Sequence, residues 1–285
     1  MKLSIITINY NNASGLRKTL ASVAAQTYQG IEHIIVDAAS TDGSVDVIRD
    51  YESANRSSIH PLTIVWSSKK DKGIYNGMNI GIQRATGDYI QILNSGDILA
   101  APDVTERMMN ALYTLHHTPY TDDAPGIIYG NMIKKDYSTG KIIGKSGEVE
   151  YSLRQYFSST MNHDCCYIRR DVYEKYGLYD ENLKIVSDWK WFLQAIGLGH
   201  VKPVYVDIDV TIFDASGISE SNLALRNEER RQVLEELLPP VILADYDKYA
   251  FPTSQIDRLK KYHLWGLVYF MERVLFKLNK WGILR

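Results

Sequence analysis

The segment that most constrains this chain runs from Gly87 to Asp97, where a short apolar run leads into a polar loop carrying one acid. Residues 89–93 are typical of a β-strand, and residues 71–82 before them are typical of a helix that feeds into it. In open α/β sheets, ligands bind at the carboxyl ends of the strands. An acidic side chain there suits a divalent cation that holds a phosphorylated substrate. The segment therefore predicts a metal-assisted enzyme that acts on a phosphate ester.

Strand-like and helix-like segments alternate regularly around this loop. The predicted strands are 3–8, 31–36, 62–66 and 89–93. The predicted helices are 14–26, which Ser14 caps, a helix that begins with residues 44–51, and 74–84. Strands that alternate with helices at this spacing indicate a mostly parallel sheet with helices on both faces. The first hundred residues are therefore predicted to be an α/β domain.

The pattern changes after a predicted helix at 103–116. The later predicted strands are 127–134, 141–145, 163–169 and 204–213, with a turn at 136–140, a helix at 187–196, and helical sequence from about Asn222 that Pro239 and Pro240 interrupt. The chain has 285 residues, of which 45% are hydrophobic. This is enough for one large domain, or for a domain with an appendage.

Charge and cysteine content narrow the class of protein. The net charge of −2 does not suggest a nucleic-acid partner. The two cysteines, Cys165 and Cys166, are adjacent and poorly placed for an ordinary disulfide, which fits a reduced, cytosolic setting. The apolar run after Met1 is too short for a signal peptide, and no stretch approaches the roughly 20 apolar residues of a spanning helix. We therefore expect a cytoplasmic protein.

Several common motifs are missing or incomplete. No Gly-x-Gly-x-x-Gly follows the first predicted strand, which disfavours a dinucleotide fold. The segment 140–146 resembles a phosphate-binding loop but is one residue short, and its β-branched surroundings favour a hairpin. Neither His-Glu-x-x-His, nor paired Cys-x-x-Cys, nor Gly-x-Ser-x-Gly occurs, so a zinc site and a serine-hydrolase elbow are disfavoured.

Five segments, taken in order and with their spacing, resemble one known family. They are Thr7-Ile-Asn-Tyr-Asn11, Val36-Asp-Ala-Ala-Ser-Thr-Asp-Gly-Ser44, Asp71-Lys-Gly-Ile-Tyr75 with Met78-Asn79, Asn94-Ser-Gly-Asp97, and Ser187-Asp-Trp-Lys-Trp191. Together they are similar to the inverting glycosyltransferases of family 2, which have the GT-A fold, and in pattern to bacterial enzymes of capsule, exopolysaccharide and O-antigen assembly. The resemblance covers about residues 1–220, and each segment alone is a weak signal.

The resemblance implies a nucleotide-sugar donor, most simply a UDP-sugar. It places Thr7, Asn9 and Tyr10 against the nucleotide, Asp37 on the uracil ring and Asp71 on the base or ribose. A carboxylate accepts the imide N–H of uracil, which gives Asp37 a physical basis for base choice. The alternatives are a turn-forming role for Asp37 and a helix-capping role for Asp71. The remaining donor-binding residues implied by the resemblance are Asn79, Asn94 and Ser95.

Asp97 matches the last acid of the metal motif in this family, and implies Mg²⁺ or Mn²⁺. The first acid of that motif is replaced here by Ser95. One carboxylate, diphosphate oxygens and water can still hold a hard cation, so we expect weak metal binding without the nucleotide. The alternative for Asp97 is a helix cap ahead of Ile98.

Asp188 matches the general base of the family, at the start of a helix that faces the acceptor. A sugar hydroxyl is so weakly acidic that a base must take its proton as the oxygen attacks the anomeric carbon. The alternative for Asp188 is the N-cap of its own helix. Trp189 and Trp191 are candidate sugar-stacking residues, but two residues at this spacing cannot share one helix face, so one is expected in the core.

Two further positions resemble the acceptor side of the family. His163 begins a segment that lines the acceptor in relatives, where it could bind the acceptor or contact the metal; a packed structural histidine is the alternative. Ser219, in the turn 216–219, resembles a loop that closes near the diphosphate, and Gly217 gives it flexibility.

The carboxy-terminal tail, residues 258–285, mixes seven basic residues with aromatic and aliphatic ones and has one acid, Glu272. Such a helix either lies in a membrane interface or packs on protein, including a second copy in a homodimer. The predicted organisation is a GT-A domain at 1–220, with a nucleotide-sugar half at 1–100 and an acceptor half at 101–220, and a helical extension at 221–285. The predicted acceptor is a glycan or a lipid-linked glycan.

Two other functional classes stay open at this point. A sugar nucleotidyltransferase would carry a Gly-rich, basic loop after the first strand, which residues 9–15 lack. A non-catalytic glycan- or nucleotide-binding relative is suggested by Ser95, and a donor hydrolysis or transfer assay distinguishes it from an enzyme.

Overall fold

The structure is a computed structural model that describes residues 1–115, 124–136, 139–149, 152–214, 222–245, 247–248, 266, 270–271 and 273–275. The chain divides into two compact units, Met1–Arg230 and Arg231–Arg285. The first unit contains the whole sheet described below. The predicted division into nucleotide-sugar half, acceptor half and helical extension stays a prediction.

The amino-terminal half forms the parallel part of the sheet. Its elements are β1 Leu3–Asn9, α1 Ala13–Ala24, β2 Ile31–Asp37, α2 Ser44–Arg56, β3 Thr63–Ser68, α3 Ile74–Arg84 and β4 Tyr89–Ile92. The strands lie in the order β3-β2-β1-β4, and every neighbouring pair among them is parallel. The predicted α/β architecture is confirmed in this half.

The second half extends the same sheet with mixed pairing. Its elements are β5 Ile98–Leu99, α4 Val104–Leu115, β6 Ile127–Asp136, β7 Lys141–Lys145, α5 Leu153–Ser158, β8 Cys166–Arg169, α6 Arg170–Tyr176, α7 Ser187–Phe192, β9 Pro203–Asp214 and α8 Leu223–Leu237. The sheet continues from β4 as β8-β6-β9-β5, and β7 pairs with β6. Among the described residues of this part, the β6–β9 pair is parallel, whereas the pairs β4–β8, β6–β8, β6–β7 and β5–β9 are antiparallel.

Three local predictions are corrected. The N-cap of α1 is Asn12, whose Oδ1 accepts the N–H of Gly15 at 3.1 Å, and not Ser14. The predicted strand 163–169 begins with one 3₁₀ turn, His163–Cys165, before β8. The predicted helix 187–196 is α-helical only to Phe192 and continues as a π-helix, Leu193–Leu198, a form that is often found near functional sites.

The core holds the carboxyl ends of the central strands in place. The strands β1, β2 and β4 are buried on both faces, as expected for parallel strands covered by helices. Helix α3 packs closely on β1: a Cβ on Gly81 would lie 2.3 Å from Cγ2 of Ile6, so only glycine allows this approach. The close packing brings the amino-terminal end of α3 beside the ends of β1 and β4.

The structure also tests the membrane prediction in part. Within the described residues, no helix is both long enough and apolar enough to cross a membrane. Most of the basic tail at 258–285 lies outside the described residues, so its contact with a membrane or with protein stays a prediction.

Candidate active site

A cavity of about 740 Å³ opens where β1, β2 and β4 end, as predicted for an open α/β sheet. Eight of the predicted site residues line it: Asn9, Tyr10, Asp71, Asn94, Ser95, Asp97, His163 and Asp188. Residues separated by up to 179 positions in the chain are thus brought to one cavity. Among them, Asp97 is the predicted metal ligand and Asp188 is the predicted general base for the acceptor.

The loop after β4 is held rigidly by helix α1. The side-chain amide of Asn12 donates to the carbonyl oxygen of Ser95 at 3.0 Å. The hydroxyl of Thr19 donates to the carbonyl oxygen of Asp97 at 2.7 Å and accepts the N–H of Gly96 at 3.0 Å. Gly96 has a φ of 112°, a region that favours glycine. These bonds fix the backbone of the loop and therefore the direction in which the side chain of Asp97 points.

Two side chains hold the carboxylate of Asp188. The hydroxyl of Tyr75, in the first turn of α3, donates to Oδ1 at 2.9 Å and to the carbonyl oxygen of Ile185 at 2.6 Å. Nδ1 of His163 lies 3.2 Å from Oδ2. The side chains of His163 and Asp188 are only 18% and 15% exposed. The carboxylate is therefore oriented in the cavity and largely shielded from water.

Burial and pairing act against each other on these two groups. Burial alone would raise the pKa of Asp188, but the hydrogen bond and charge of His163, with the hydroxyl of Tyr75, lower it below its ordinary value. Burial alone would lower the pKa of His163, but Asp188, with the charges of Asp164 and Asp97, raises it to about 9. At neutral pH the pair is an imidazolium beside a carboxylate.

His163 also connects Asp188 to the loop after β4. Its Nε2 lies 3.2 Å from the side-chain nitrogen of Asn94, and Oδ1 of Asn94 is buried without a hydrogen-bond partner. A half-turn of the amide brings that oxygen to Nε2, where it accepts the second N–H of a protonated imidazole. This arrangement satisfies the buried oxygen and agrees with the raised pKa of His163.

Three predicted donor-binding residues are buried polar residues of the scaffold and present almost no surface to the cavity. Thr7 and Asp37 have 0% exposure and Asn79 has 4%. The hydroxyl of Thr7 pairs with Nε2 of the buried His33 at 3.0 Å. The amide of Asn79 donates to the carbonyl oxygen of Tyr179 and accepts its N–H. These bonds give the three residues a supporting role in the scaffold, and their direct contact with a donor stays a prediction.

The carboxylate of Asp37 is fully engaged within the protein. It accepts from the amide of Asn9 at 2.8 Å, from the hydroxyl and N–H of Ser40 at 2.6 and 3.0 Å, and from the hydroxyl of Ser68 at 2.6 Å. Burial would raise its pKa, but these hydrogen bonds lower it. Four donors thus occupy acceptor positions of the carboxylate, and contact of Asp37 with a uracil ring stays a prediction. The alternative, a turn-forming Asp, describes its bonds to Ser40.

Both tryptophans after Asp188 are core residues. Trp189 and Trp191 are each 1% exposed, and their Nε1–H groups donate to the carbonyl oxygens of Tyr156 and Gly177. The prediction that one of them lies in the core applies to both, and neither offers a face to a sugar. Ser219 and Gly217 lie outside the described residues.

The oxygen atoms beside Asp97 fit a hard cation that is completed by its substrate. Within the described ranges, no group of three or more His, Cys, Asp or Glu side chains could hold a metal ion. Asp97 lines the cavity with the neutral side chains of Asn94 and Ser95. One carboxylate and neutral oxygens suit Mg²⁺ or Mn²⁺ when diphosphate oxygens and water supply the other ligands.

Sequence reasoning missed two kinds of residue. Tyr75 was part of a recognised segment but was not assigned a role, because its contact with Asp188 spans 113 positions. Lys70 and Lys184 also line the cavity, and their cationic groups suit a diphosphate. Their position before α3 and before α7 was the signal available in the sequence.

The sequence is similar to those of known glycosyltransferases. The sequence profile described as Glycosyl transferase family 2 matches residues 4–177. An uncharacterized glycosyltransferase of Mycobacterium tuberculosis is 30% identical over 222 residues, which are 76% of each chain. A PGL/p-HBAD biosynthesis glycosyltransferase of Mycobacterium bovis is 26% identical over 216 residues, 75% of this chain and 77% of the relative.

Solved structures show the same fold at low sequence identity. S. aureus TarS 1–349 in complex with UDP-GlcNAc has a TM-score of 0.62 and 18% identity, over 82% of this chain and 64% of TarS 1–349. The mannosyltransferase PcManGT from Pyrobaculum calidifontis, in complex with GDP-Man and Mn²⁺, has a TM-score of 0.62 and 14% identity, over 98% of this chain and 82% of PcManGT. At these identities the likeness establishes the fold alone, which is the predicted GT-A fold.

Proposed function

Because this chain belongs to glycosyltransferase family 2, we propose that it is an inverting transferase that moves a sugar from a nucleotide-sugar to a hydroxyl group of a glycan or lipid-linked acceptor in surface polysaccharide synthesis. The observation that carries this proposal is the placement of an oriented, shielded carboxylate, Asp188, in the same cavity as Asp97. A single displacement at an anomeric carbon requires a base for the acceptor hydroxyl and, in the same cavity, an acidic residue that can hold a cation against the leaving diphosphate.

Asp188 acts as the general base. Its lowered pKa keeps it ionised at neutral pH, and the bonds from Tyr75 and His163 leave the carboxylate in one orientation. The acceptor hydroxyl transfers its proton to Asp188 while its oxygen forms a bond to the anomeric carbon. The bond from that carbon to the diphosphate breaks on the opposite face, and its electron pair leaves with the diphosphate. The configuration of the sugar is therefore inverted.

Asp97, with Asn94 and Ser95, is the part of the cavity that would hold a divalent cation. When bound, the cation neutralises charge on the leaving diphosphate. The amines of Lys70 and Lys184 line the same cavity and add positive charge near the phosphates. Ser95 in place of an acid makes the site depend on the nucleotide for its remaining ligands, so we expect weak metal binding in the free protein.

We propose a UDP-sugar, a hexose or N-acetylhexosamine, as the donor. Asn9, Tyr10 and Asp71 line the cavity, and we assign them to the nucleotide. The ring of Tyr10 is 67% exposed and offers an aromatic face for a base. TarS was solved with UDP-GlcNAc and PcManGT with GDP-Man, so uracil and guanine donors are the two classes to compare.

The first test is a thermal-shift screen of UDP- and GDP-sugars with and without Mn²⁺, because a ligand of the folded state raises its melting temperature. We expect a UDP-sugar to give the largest shift, and Mn²⁺ to increase it. A larger shift with a GDP-sugar would reject uracil as the base, and no shift with any donor would reject the proposal.

The second test is the variant Asp188→Asn, which keeps the shape of the side chain and removes the base. Transfer or hydrolysis of the donor should fall to a low residual rate, whereas UDP binding measured by calorimetry should be retained. A variant that turned over at the wild-type rate would reject Asp188 as the base. A wild-type protein that bound the donor but never released nucleotide would favour a binding protein over an enzyme.

A further inference from the structure

Glu229, on helix α8, contacts the segment that leads into Asp188. Its side chain is buried, with 6% exposure. Oε1 accepts the N–H of Lys184 at 2.7 Å, and Oε2 accepts the N–H groups of Ile185 and Val186 at 2.9 and 3.2 Å. One carboxylate thus binds three consecutive backbone N–H groups, 43 to 45 positions away in the chain.

These three N–H groups lie immediately before α7, the helix that carries Asp188 in its first turn. The N-cap residue of α7, Val186, makes no side-chain capping bond. The first amide groups of a helix, including that of the N-cap residue, have no partner within it, so Glu229 caps the N–H of Val186 and also binds the two N–H groups that precede it. On the carbonyl side, Ile185 accepts from the hydroxyl of Tyr75. The segment is therefore bonded through both its N–H and its C=O groups.

The next residue of α8 contacts the other side of Asp188. The guanidinium carbon of Arg230 lies 5.1 Å from the ring centroid of Trp189, a cation–π distance. Consecutive residues of α8 thus contact the chain just before and just after Asp188. Both contacts lie within the first compact unit, Met1–Arg230.

We propose that Glu229 is a positioning residue for the base Asp188, so that a helix beyond the part matched by the family profile, residues 4–177, contributes to catalysis. This inference rests on the proposed function of Asp188. A misplacement of a catalytic group by about 1 Å costs on the order of 10²-fold in rate. Removing the carboxylate leaves three N–H groups without their acceptor, and the segment moves to find other partners.

The test compares Glu229→Ala with Glu229→Gln, and uses Glu228→Ala as the matched control because Glu228 is an exposed acid on the same helix. The probe is UDP-GlcNAc or GDP-mannose, whichever gives the larger thermal shift, with nucleotide release as the readout. For Glu229→Ala, kcat should fall on the order of 10²-fold, with a much smaller change in KM for the donor and in calorimetric affinity for the nucleotide, to which Lys184 of the same segment contributes. Glu229→Gln retains one acceptor oxygen and should be intermediate, and Glu228→Ala should match the wild type.

A double variant separates positioning from loss of stability. In the Asp188→Asn background, Glu229→Ala should cause no further loss of residual turnover, because two residues that act through one group are not additive. An equal loss in both backgrounds, or a raised KM for the donor with kcat unchanged, would overturn the inference.

Hydrogen–deuterium exchange tests the contact between Glu229 and the N–H groups of residues 184–186 without an activity assay. Glu229→Ala should speed exchange of the amides of residues 184–186, and Glu228→Ala should not. Unchanged exchange in Glu229→Ala would overturn the positioning role of Glu229 even if turnover fell. Faster exchange with no nucleotide binding in the wild type would instead reject the proposed function, and with it a role in catalysis.

Discussion

The pair formed by His163 and Asp188 makes stability depend on pH in a way that one substitution should remove. His163 has a pKa raised from 6.5 to about 9 in the folded protein. A pKa raised by folding gives stability that is fully present below the unfolded value and is lost as the pH rises through the folded value. The ion pair should therefore stabilise the protein at neutral pH and cease to do so in mild alkali.

The size of the effect follows from the two pKa values. Each tenfold change in proton affinity is worth about 1.4 kcal/mol, so a shift from 6.5 to about 9 corresponds to about 3 kcal/mol of unfolding free energy. Both side chains are less than one fifth exposed, at 18% and 15%, so solvent screens the pair only partly. In His163→Gln this linked stability is absent at every pH.

The assay is urea unfolding of the wild type and of His163→Gln, followed by tryptophan fluorescence, since Trp189 is buried next to Asp188. The difference in unfolding free energy between the two proteins should shrink by about 3 kcal/mol between about pH 6 and about pH 10. His60→Gln is the control, because His60 is exposed. A difference that stayed constant with pH would show that His163 is not protonated beside Asp188, and would refute the reasoning.

Two other predictions follow from the cavity and its support. Asp97→Ala should weaken the binding of UDP in the presence of Mn²⁺ and leave metal-free binding nearly unchanged. Calorimetry with and without Mn²⁺ would detect this difference. Equal affinities of wild type and variant for UDP in the presence of Mn²⁺ would show that Asp97 is not a metal ligand. Asp37→Ala should lower the unfolding free energy by about 3 kcal/mol, because four buried or half-buried donors lose their acceptor, whereas Asp46→Ala, at an exposed pair with Arg49, should change it by less than about 1 kcal/mol. A variant at Asp37 that kept its stability and lost only nucleotide affinity would instead assign this residue to the base-binding site.

The sequence was sufficient for the elements whose structure depends on neighbours in the chain. The apolar runs of β1, β2 and β4 and the helical periodicity of α3 predicted these elements within a residue or two of their observed ends. Since the carboxyl ends of parallel strands meet at one edge, the position of Asp97 in the cavity also followed from the pattern. Asp188 was found through its motif.

The mixed half of the sheet and the roles of individual polar side chains depended on the tertiary structure. Asp37, at the end of a strand, was predicted to contact the donor, yet Ser68 and Asn9 from the neighbouring strands use its carboxylate in the scaffold. Burial of Trp189 and the contact of Tyr75 with Asp188 likewise arise from packing between elements far apart in the chain.

Local sequence thus determined which acids stand at strand ends and helix starts, because periodicity and capping act over a few residues. Only the folded chain decided which of those acids face the cavity. A carboxylate can be a base, a metal ligand or a structural acceptor, and the choice depends on which donors reach it. For Asp188 those donors are His163 and Tyr75, 25 and 113 positions away, and for the segment before it the acceptor is Glu229.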